Sequence, residues 1–293
     1  MTVLNKRIVS GLCLGTAFLL AANWAPSLSV CTLLCAIATI AVLEFYQLLD
    51  AMVIPSFRIM GVVASILLIA GTWLSFTFKT AALAGEHELL ILFVTIIAIL
   101  IRQFPQKNND QPLATMACTL FGILYVPFLF NYFTKLAFTW ECPSWLDPIG
   151  PTGRWLVFYL IAVVKSTDIG AFVIGSRFGR HKLIPRISPG KTWEGFIGGV
   201  VVGLLVSLGV YFLAGGHLGV ITMSIYDAII LGILLPVLGT VGDLTESMLK
   251  RAANSKDAGR LLPGMGGALD VLDSLLFGAP ALYMYIKILL AVE

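Results

Sequence analysis

The chain has 293 residues, of which 58% are hydrophobic and only 12% charged, with a formal charge of +3 and a mean hydropathy of +0.94. A soluble globular domain carries about 25% charged residues, so this composition excludes one, and the small net charge gives no reason to expect a nucleic-acid partner. Lipid must be the main solvent.

A helix needs about 20 apolar residues to cross the hydrocarbon of a bilayer. Candidate runs in chain order are 8–22, 28–49, 59–78, 89–101, 113–133, 155–174, 196–214, 226–240 and 268–291. The first, fourth and eighth are short, which leaves counts of eight or ten open. None alternates in polarity, so strands of a membrane barrel are excluded. The expected fold is an all-α polytopic membrane protein of about nine transmembrane helices. Lys6-Arg7 before an apolar stretch ending at Ala21-Ala22-Asn23 has the outline of a signal peptide. The next run follows almost at once, so a retained helix is expected. With nine spans and a cytoplasmic N-terminus, 14 of the 19 basic residues fall on the cytoplasmic side. Only Lys79, Lys135, Arg154 and Lys287 fall on the other side, and that asymmetry sets the orientation. The five cysteines form no CxxC pair and read as small buried hydrophobes.

Chemistry is unevenly spread. Residues 1–153 are apolar runs with quiet connections, and the segment 135–154, with Trp140 and Trp145, reads as an external loop with interfacial aromatic anchors. Glu44 is the exception, read as an interfacial charge, the alternative being a buried partner for a basic residue. Residues 154–293 add two polar, glycine-punctuated cytoplasmic loops, 175–195 and 242–267, where chemistry would be placed. Lys165 and Asp168 fall in the middle of an apolar run, three residues apart, and read as a polar cavity wall. Asp243, Glu246, Ser247 and Lys250 share one helical stripe, and Asp270 and Asp273 share another at the start of an apolar run. Two acidic clusters on the same side of a membrane suit a hard dication such as Mg²⁺. Lys182, Arg186, Lys191, Lys250, Arg251 and Lys256 lie on that side too. Lys191 belongs to Ser188-Pro189-Gly190-Lys191-Thr192-Trp193-Glu194-Gly195, which resembles part of a phosphate cradle but lacks P-loop spacing.

Taken together, these segments resemble the phosphatidate cytidylyltransferase (CDP-diacylglycerol synthase) family over about 155–275. The resemblance rests on Asp168-Ile169-Gly170-Ala171-Phe172, Gly175-Ser176-Arg177-Phe178-Gly179-Arg180, the stretch from Ser188 to Gly195, and Gly242-Asp243-Leu244. It continues through Ser247-Met248-Leu249-Lys250-Arg251, Lys256-Asp257, Pro263-Gly264-Met265-Gly266-Gly267 and Asp270-Val271-Leu272-Asp273-Ser274. Met265 and Val271 stand where the family has His and Arg, which puts in doubt any mechanism needing that His. The resemblance implies an enzyme of a bacterial inner membrane, with CTP and phosphatidate as substrates and CDP-diacylglycerol and pyrophosphate as products. It implies Mg²⁺, with a second cation left open, and a homodimer, although no segment reads as an interface. Asp243, Asp270 and Asp273 are then expected to hold the metal, with Asp257 as a further ligand or as the residue orienting Lys256. Lys191, Lys250, Arg251 and Lys256 would bind phosphates, Ser188, Thr192 and Ser247 would supply hydroxyl contacts, and Asp168 would line the site. The expected catalytic set is Asp243, Lys250, Asp270 and Asp273. A CTP-dependent lipid kinase of the dolichol or phytol type and a secondary transporter using Lys165 and Asp168 are the competing readings.

Overall fold

The computed structural model describes residues 26–78, 86–107, 109–140, 148–255, 258–259 and 266–290. The expected span 8–22 lies outside them, as do Trp145, Lys256, Asp257 and Met265. The described chain is built on the long helices α1 (Ser27–Ala51), α2 (Arg58–Thr77), α3 (Glu86–Gln103), α4 (Pro112–Phe138), α5 (Pro151–Phe178), α6 (Trp193–Leu213), α7 (Ile225–Ala252) and α8 (Ala268–Leu289). All of these but α3 are long and apolar enough to cross a membrane, seven among the described residues. Glu86, Glu88 and Arg102 at the two ends of α3 set it apart, although Leu89, Leu90, Phe93 and Val94 are exposed along it. Two antiparallel hairpins were not expected from the sequence: β1 (Lys182–Ile184) with β2 (Ser188–Thr192), and β3 (His217–Leu218) with β4 (Ile221–Thr222).

Local chemistry sets the helix boundaries. Pro112 and Pro151 occupy the first turns of α4 and α5, where the missing N–H costs nothing. Ser224 and Asp227 form a reciprocal capping box at the start of α7. Pro127 sits in a π-helical turn, Leu124–Phe128, which interrupts α4 without ending it. α7 runs well past the expected span at 226–240, so residues 242–252 of the expected loop 242–267 are helical. Likewise α5 reaches Phe178 and α6 starts at Trp193, so the expected loop 175–195 is confined to a hairpin and its flanks. Polar side chains made these turns look like loops. In the fold they are satisfied along the helix, as in Thr245 Oγ1 donating to the Val241 carbonyl at 2.8 Å.

Lipid gives little hydrophobic drive for helices to associate, so close packing and hydrogen bonds must hold the bundle. Gly195, Gly199 and Gly203 recur every fourth residue on α6 and let it press against Thr167, Ala171 and Gly175 of α5. One core runs through both halves of the chain, joining Phe45 and Tyr46 of α1 to Leu160 and Val164 of α5, Leu235 of α7 and Leu276 of α8. The boundary expected at 153/154 therefore separates chemistry rather than packing. At one end of the bundle Glu88 of α3 accepts from Asn131 Nδ2 at 2.8 Å and pairs with Lys135 at 2.7 Å, fastening α3 to α4. The site assembles at the other end.

Candidate functional site

The last turns of α7 meet the first turns of α8 at close range because Gly242 has no side chain. A Cβ there would land on the Asp273 carbonyl oxygen. That approach brings Asp243 and Glu246, one turn apart on α7, against Asp273 on α8. One carboxylate oxygen from each of the three lies within 4.8 Å of those of the other two. Asp273 is 7% exposed, and the Glu246 side chain has no exposure at all. Lys250, a turn further along α7, pairs with Glu246 and reaches Asp270 Oδ1 at 2.8 Å. Asp270 is the third helical residue of α8, where a carboxylate meets free backbone donors. Its Oδ2 accepts from Gly267 N at 2.6 Å and Ala258 N at 3.0 Å. Gly266, at φ +93°, supplies the left-handed turn that brings the chain back over that carboxylate.

The β1–β2 hairpin covers this corner. Lys191 leaves β2 toward α7 and places its Nζ 2.6 Å from Asp243 Oδ2. Thr192 then closes the strand and caps α6, its hydroxyl accepting from Gly195 N at 3.1 Å. Glu194 accepts from the N–H groups of Arg180 and His181 at 3.1 and 3.2 Å, binding the hairpin's base to α6. From α7, Arg251 Nε donates to the Ile187 carbonyl at 3.3 Å and holds the hairpin turn. Ser188 opens β2 in register with Ile184.

Behind the carboxylates, Lys165 Nζ lies 3.5 Å from Asp168 Oδ2, 2.8 Å from the Val271 carbonyl and 3.0 Å from Ser274 Oγ. The Ser274 hydroxyl donates to Asp168 at 3.2 Å, so the two mid-helix charges of α5 join the same region as Asp273. Val271 thus contributes its carbonyl to the site.

The expected residues separate into groups. Asp243 and Asp273 come together, with Ser247 donating to Asp243 Oδ1 at 3.4 Å. Glu246 completes the triad and was not assigned from the sequence, although its place on the Asp243 stripe was the signal. Asp270 stands beside the triad, engaged with Lys250 and two backbone amides. Lys191, Lys250 and Asp168 reach the cluster, whereas the Thr192 hydroxyl is committed to its helix cap. Arg251, exposed, and Ser188, half-buried, lie at the hairpin. Asp257 and Lys256 lie outside the described residues.

Glu44 corrects its reading as an interfacial charge. It is 4% exposed, and its Oε2 accepts from Leu269 N at 2.8 Å at the start of α8. Among the described residues its partner is a helix N-terminus rather than a basic side chain, because free amides and the positive end of the dipole satisfy a buried carboxylate. Gly259 and Gly267 pack so close to it that a Cβ on either would clash with the carboxylate.

The cluster has the donor set for a hard dication. Among the described residues, five carboxylates (Asp168, Asp243, Glu246, Asp270 and Asp273) meet three ammonium groups (Lys165, Lys191 and Lys250). Glu246 Oε1 is buried without a hydrogen-bond partner among the described residues. A buried, excess negative charge is costly unless a cation offsets it, and all-oxygen ligands suit Mg²⁺ better than a soft metal.

A family model described as the cytidylyltransferase family matches residues 5–289, nearly the whole chain. The chain belongs to that family. Among curated relatives, a phosphatidate cytidylyltransferase of Staphylococcus haemolyticus is 31% identical over 250 residues, covering 83% of this chain and 85% of its own. A phosphatidate cytidylyltransferase of Bacillus subtilis is 38% identical over 165 residues, 56% of each chain. Uncharacterized protein YnbB of Escherichia coli is 33% identical over 207 residues, covering 68% of this chain and 64% of its own. The match thus spans less than two thirds of the last two relatives' lengths.

Proposed function

We propose that this chain transfers the cytidylyl group of CTP to phosphatidate, releasing pyrophosphate and leaving CDP-diacylglycerol in the membrane. The observation that carries this reading is the Asp243–Glu246–Asp273 triad, half-buried at Asp243 and buried at the other two, flanked by Lys191 and Lys250 in a chain of the cytidylyltransferase family. Relatives bearing the name phosphatidate cytidylyltransferase support the lipid acceptor.

Asp243, Glu246 and Asp273 would hold Mg²⁺, which when bound neutralises phosphate charge as two polyanions meet. Lys191 rests on Asp243 with its side chain 25% exposed, so it can exchange that carboxylate for an incoming phosphate oxygen. Lys250 is more deeply placed and bridges Glu246 and Asp270, which fixes the α7 half of the triad against α8. Asp270 therefore positions Lys250 and the start of α8. Ser247 and Ser188 offer hydroxyls beside the phosphates, Arg251 offers charge at the hairpin, and Asp168 lines the inner wall through Ser274. The acceptor is a phosphate monoester, ionised near neutral pH, so its oxygen attacks the α-phosphorus without a strong general base. Positioning and electrostatic stabilisation carry the reaction, and a Met at 265 is compatible with it. The same reading takes nine spans with a cytoplasmic N-terminus and the site at the cytoplasmic face of a bacterial inner membrane. Acyl chains stay in lipid, two copies pair, and a second cation beside Mg²⁺ would draw on Asp257 or Asp168.

Purified protein in lipid micelles, given CTP labelled at the α-phosphorus, phosphatidate and Mg²⁺, should move label into the lipid fraction. Asp273→Asn should lower that rate by roughly 100-fold or more, the scale of losing a preorganised charge at the reacting centre. An Asp273→Asn protein with the wild-type rate contradicts the assignment.

A further inference from the structure

Besides Glu44, the first half of the chain brings the polar side chain of Tyr125 to the neighbourhood of α8. Tyr125 lies in the π-helical turn of α4, where the extra residue shifts the helix face and turns the ring toward α8. The ring is held on several sides: stacked on Phe121 at 5.5 Å and 4°, and tilted against Phe45 and Phe277 at 6.1 and 6.3 Å. Phe277 is one helical turn beyond Asp273. The residue is 4% exposed, and its hydroxyl has no hydrogen-bond partner among the described residues. Phe277 in turn packs at the α7–α8 crossing, where a Cβ on Gly242 would meet both the Asp273 carbonyl and the Phe277 ring, so Tyr125 lies beside the corner that carries the triad.

A buried phenol without a partner forfeits roughly the strength of a hydrogen bond, and native proteins rarely leave one so. An aromatic cage this tight cannot be a default resting place for a polar tip, since Phe would fill it equally well. We infer that the Tyr125 hydroxyl is a further donor of the active centre, presented by the π turn of α4 to an oxygen bound at the Asp243–Glu246–Asp273 triad. That oxygen belongs to a phosphate of the nucleotide, a phosphate of the lipid, or a water held by the dication. The inference rests on the cytidylyl-transfer reading for its substrates and on the packing of α4 for its geometry.

Tyr125→Phe removes the hydroxyl and keeps the ring. Its melting temperature without ligands should equal or exceed that of wild type, because nothing is left unpaired. Its rate of cytidylyl transfer should fall roughly 10- to 100-fold, the range for losing a hydrogen bond to a charged group. A rise in KM for CTP or for phosphatidate identifies which phosphate accepts the bond, while a fall in kcat alone points to the reacting centre. The shift in melting temperature on adding Mg²⁺, or Mg²⁺ with CTP, gives a readout independent of turnover, and it should shrink in the variant. An unchanged rate together with unchanged ligand-induced shifts overturns the inference, as does a lower melting temperature with full activity. If the wild-type protein transfers no label, the functional reading fails by itself. The Mg²⁺ and CTP shifts then decide on Tyr125: smaller in Tyr125→Phe supports the donor, equal rejects it.

Discussion

Glu246 is fully enclosed, and Lys250 is the cation that meets it, so this pair sets the energetics of the α7–α8 corner. Removing one partner of a buried ion pair leaves the other uncompensated, at a cost of about 3–5 kcal/mol. Lys250→Met should therefore destabilise the protein by about that amount, read as loss of thermal stability in micelles. Adding Glu246→Gln should restore part of it, because the orphaned charge is then gone. A single variant as stable as wild type would mean that Glu246 is neutral in the fold. Much of this chemistry was legible in the sequence. Asp243 and Asp273 stood out because carboxylates in apolar or helical runs are costly and their spacing put them on defined faces. Glu246 shared the Asp243 stripe, yet whether it faced α8 or solvent depended on the rotation of α7, which no local spacing reports. Glu44 was misread for a related reason. Its partner is a backbone amide 225 positions away, and only tertiary packing creates it.

Helix contacts decide whether those side chains meet. Gly242 sits where α7 crosses the Asp273 carbonyl, and a methyl group there must push the two helices apart. Overpacking of this kind costs about 1–3 kcal/mol. Gly242→Ala should therefore weaken metal-dependent activity more than Gly190→Ala in the hairpin, where a Cβ meets nothing within 4 Å. Comparing the two variants for thermal stability and for the Mg²⁺ dependence of the rate checks this, and equal behaviour would show that the α7–α8 approach has slack. At this scale the apolar runs located the helices well, because hydrocarbon thickness imposes a length that sequence displays directly. The ends were harder. α7 continues through Asp243, Glu246 and Lys250 because Lys250 pairs with Glu246 along the helix and with Asp270 of α8, and Lys191 of β2 pairs with Asp243, whereas their composition alone resembles a loop. The π turn at Leu124–Phe128 left no signal beyond Pro127, which a helix in lipid tolerates in several ways. The β1–β2 hairpin was likewise hidden, since Ser188-Pro189-Gly190-Lys191-Thr192 has turn chemistry and only pairing with Lys182–Ile184 makes it a strand.

Across the whole molecule, acidic groups from α5, α7 and α8 converge at one end of the bundle, and α1 and α4 buttress them. The apolar first half is therefore part of the site's support: Glu44 seats the start of α8, and Tyr125 packs against Phe277, one turn beyond Asp273. Membership of the cytidylyltransferase family gives this arrangement its chemistry, and the triad with its lysines gives that chemistry a place. The central claim is that the chain moves the nucleotidyl group of CTP, and not its terminal phosphate, to a lipid phosphate. The most direct test supplies phosphatidate with CTP labelled either at the α-phosphorus or at the γ-phosphorus and compares the lipid products. Label from the α position in lipid, with γ label appearing in pyrophosphate, is the expected result. Lipid that carries γ label instead, with CDP released, would contradict the account and make the chain a CTP-dependent lipid kinase.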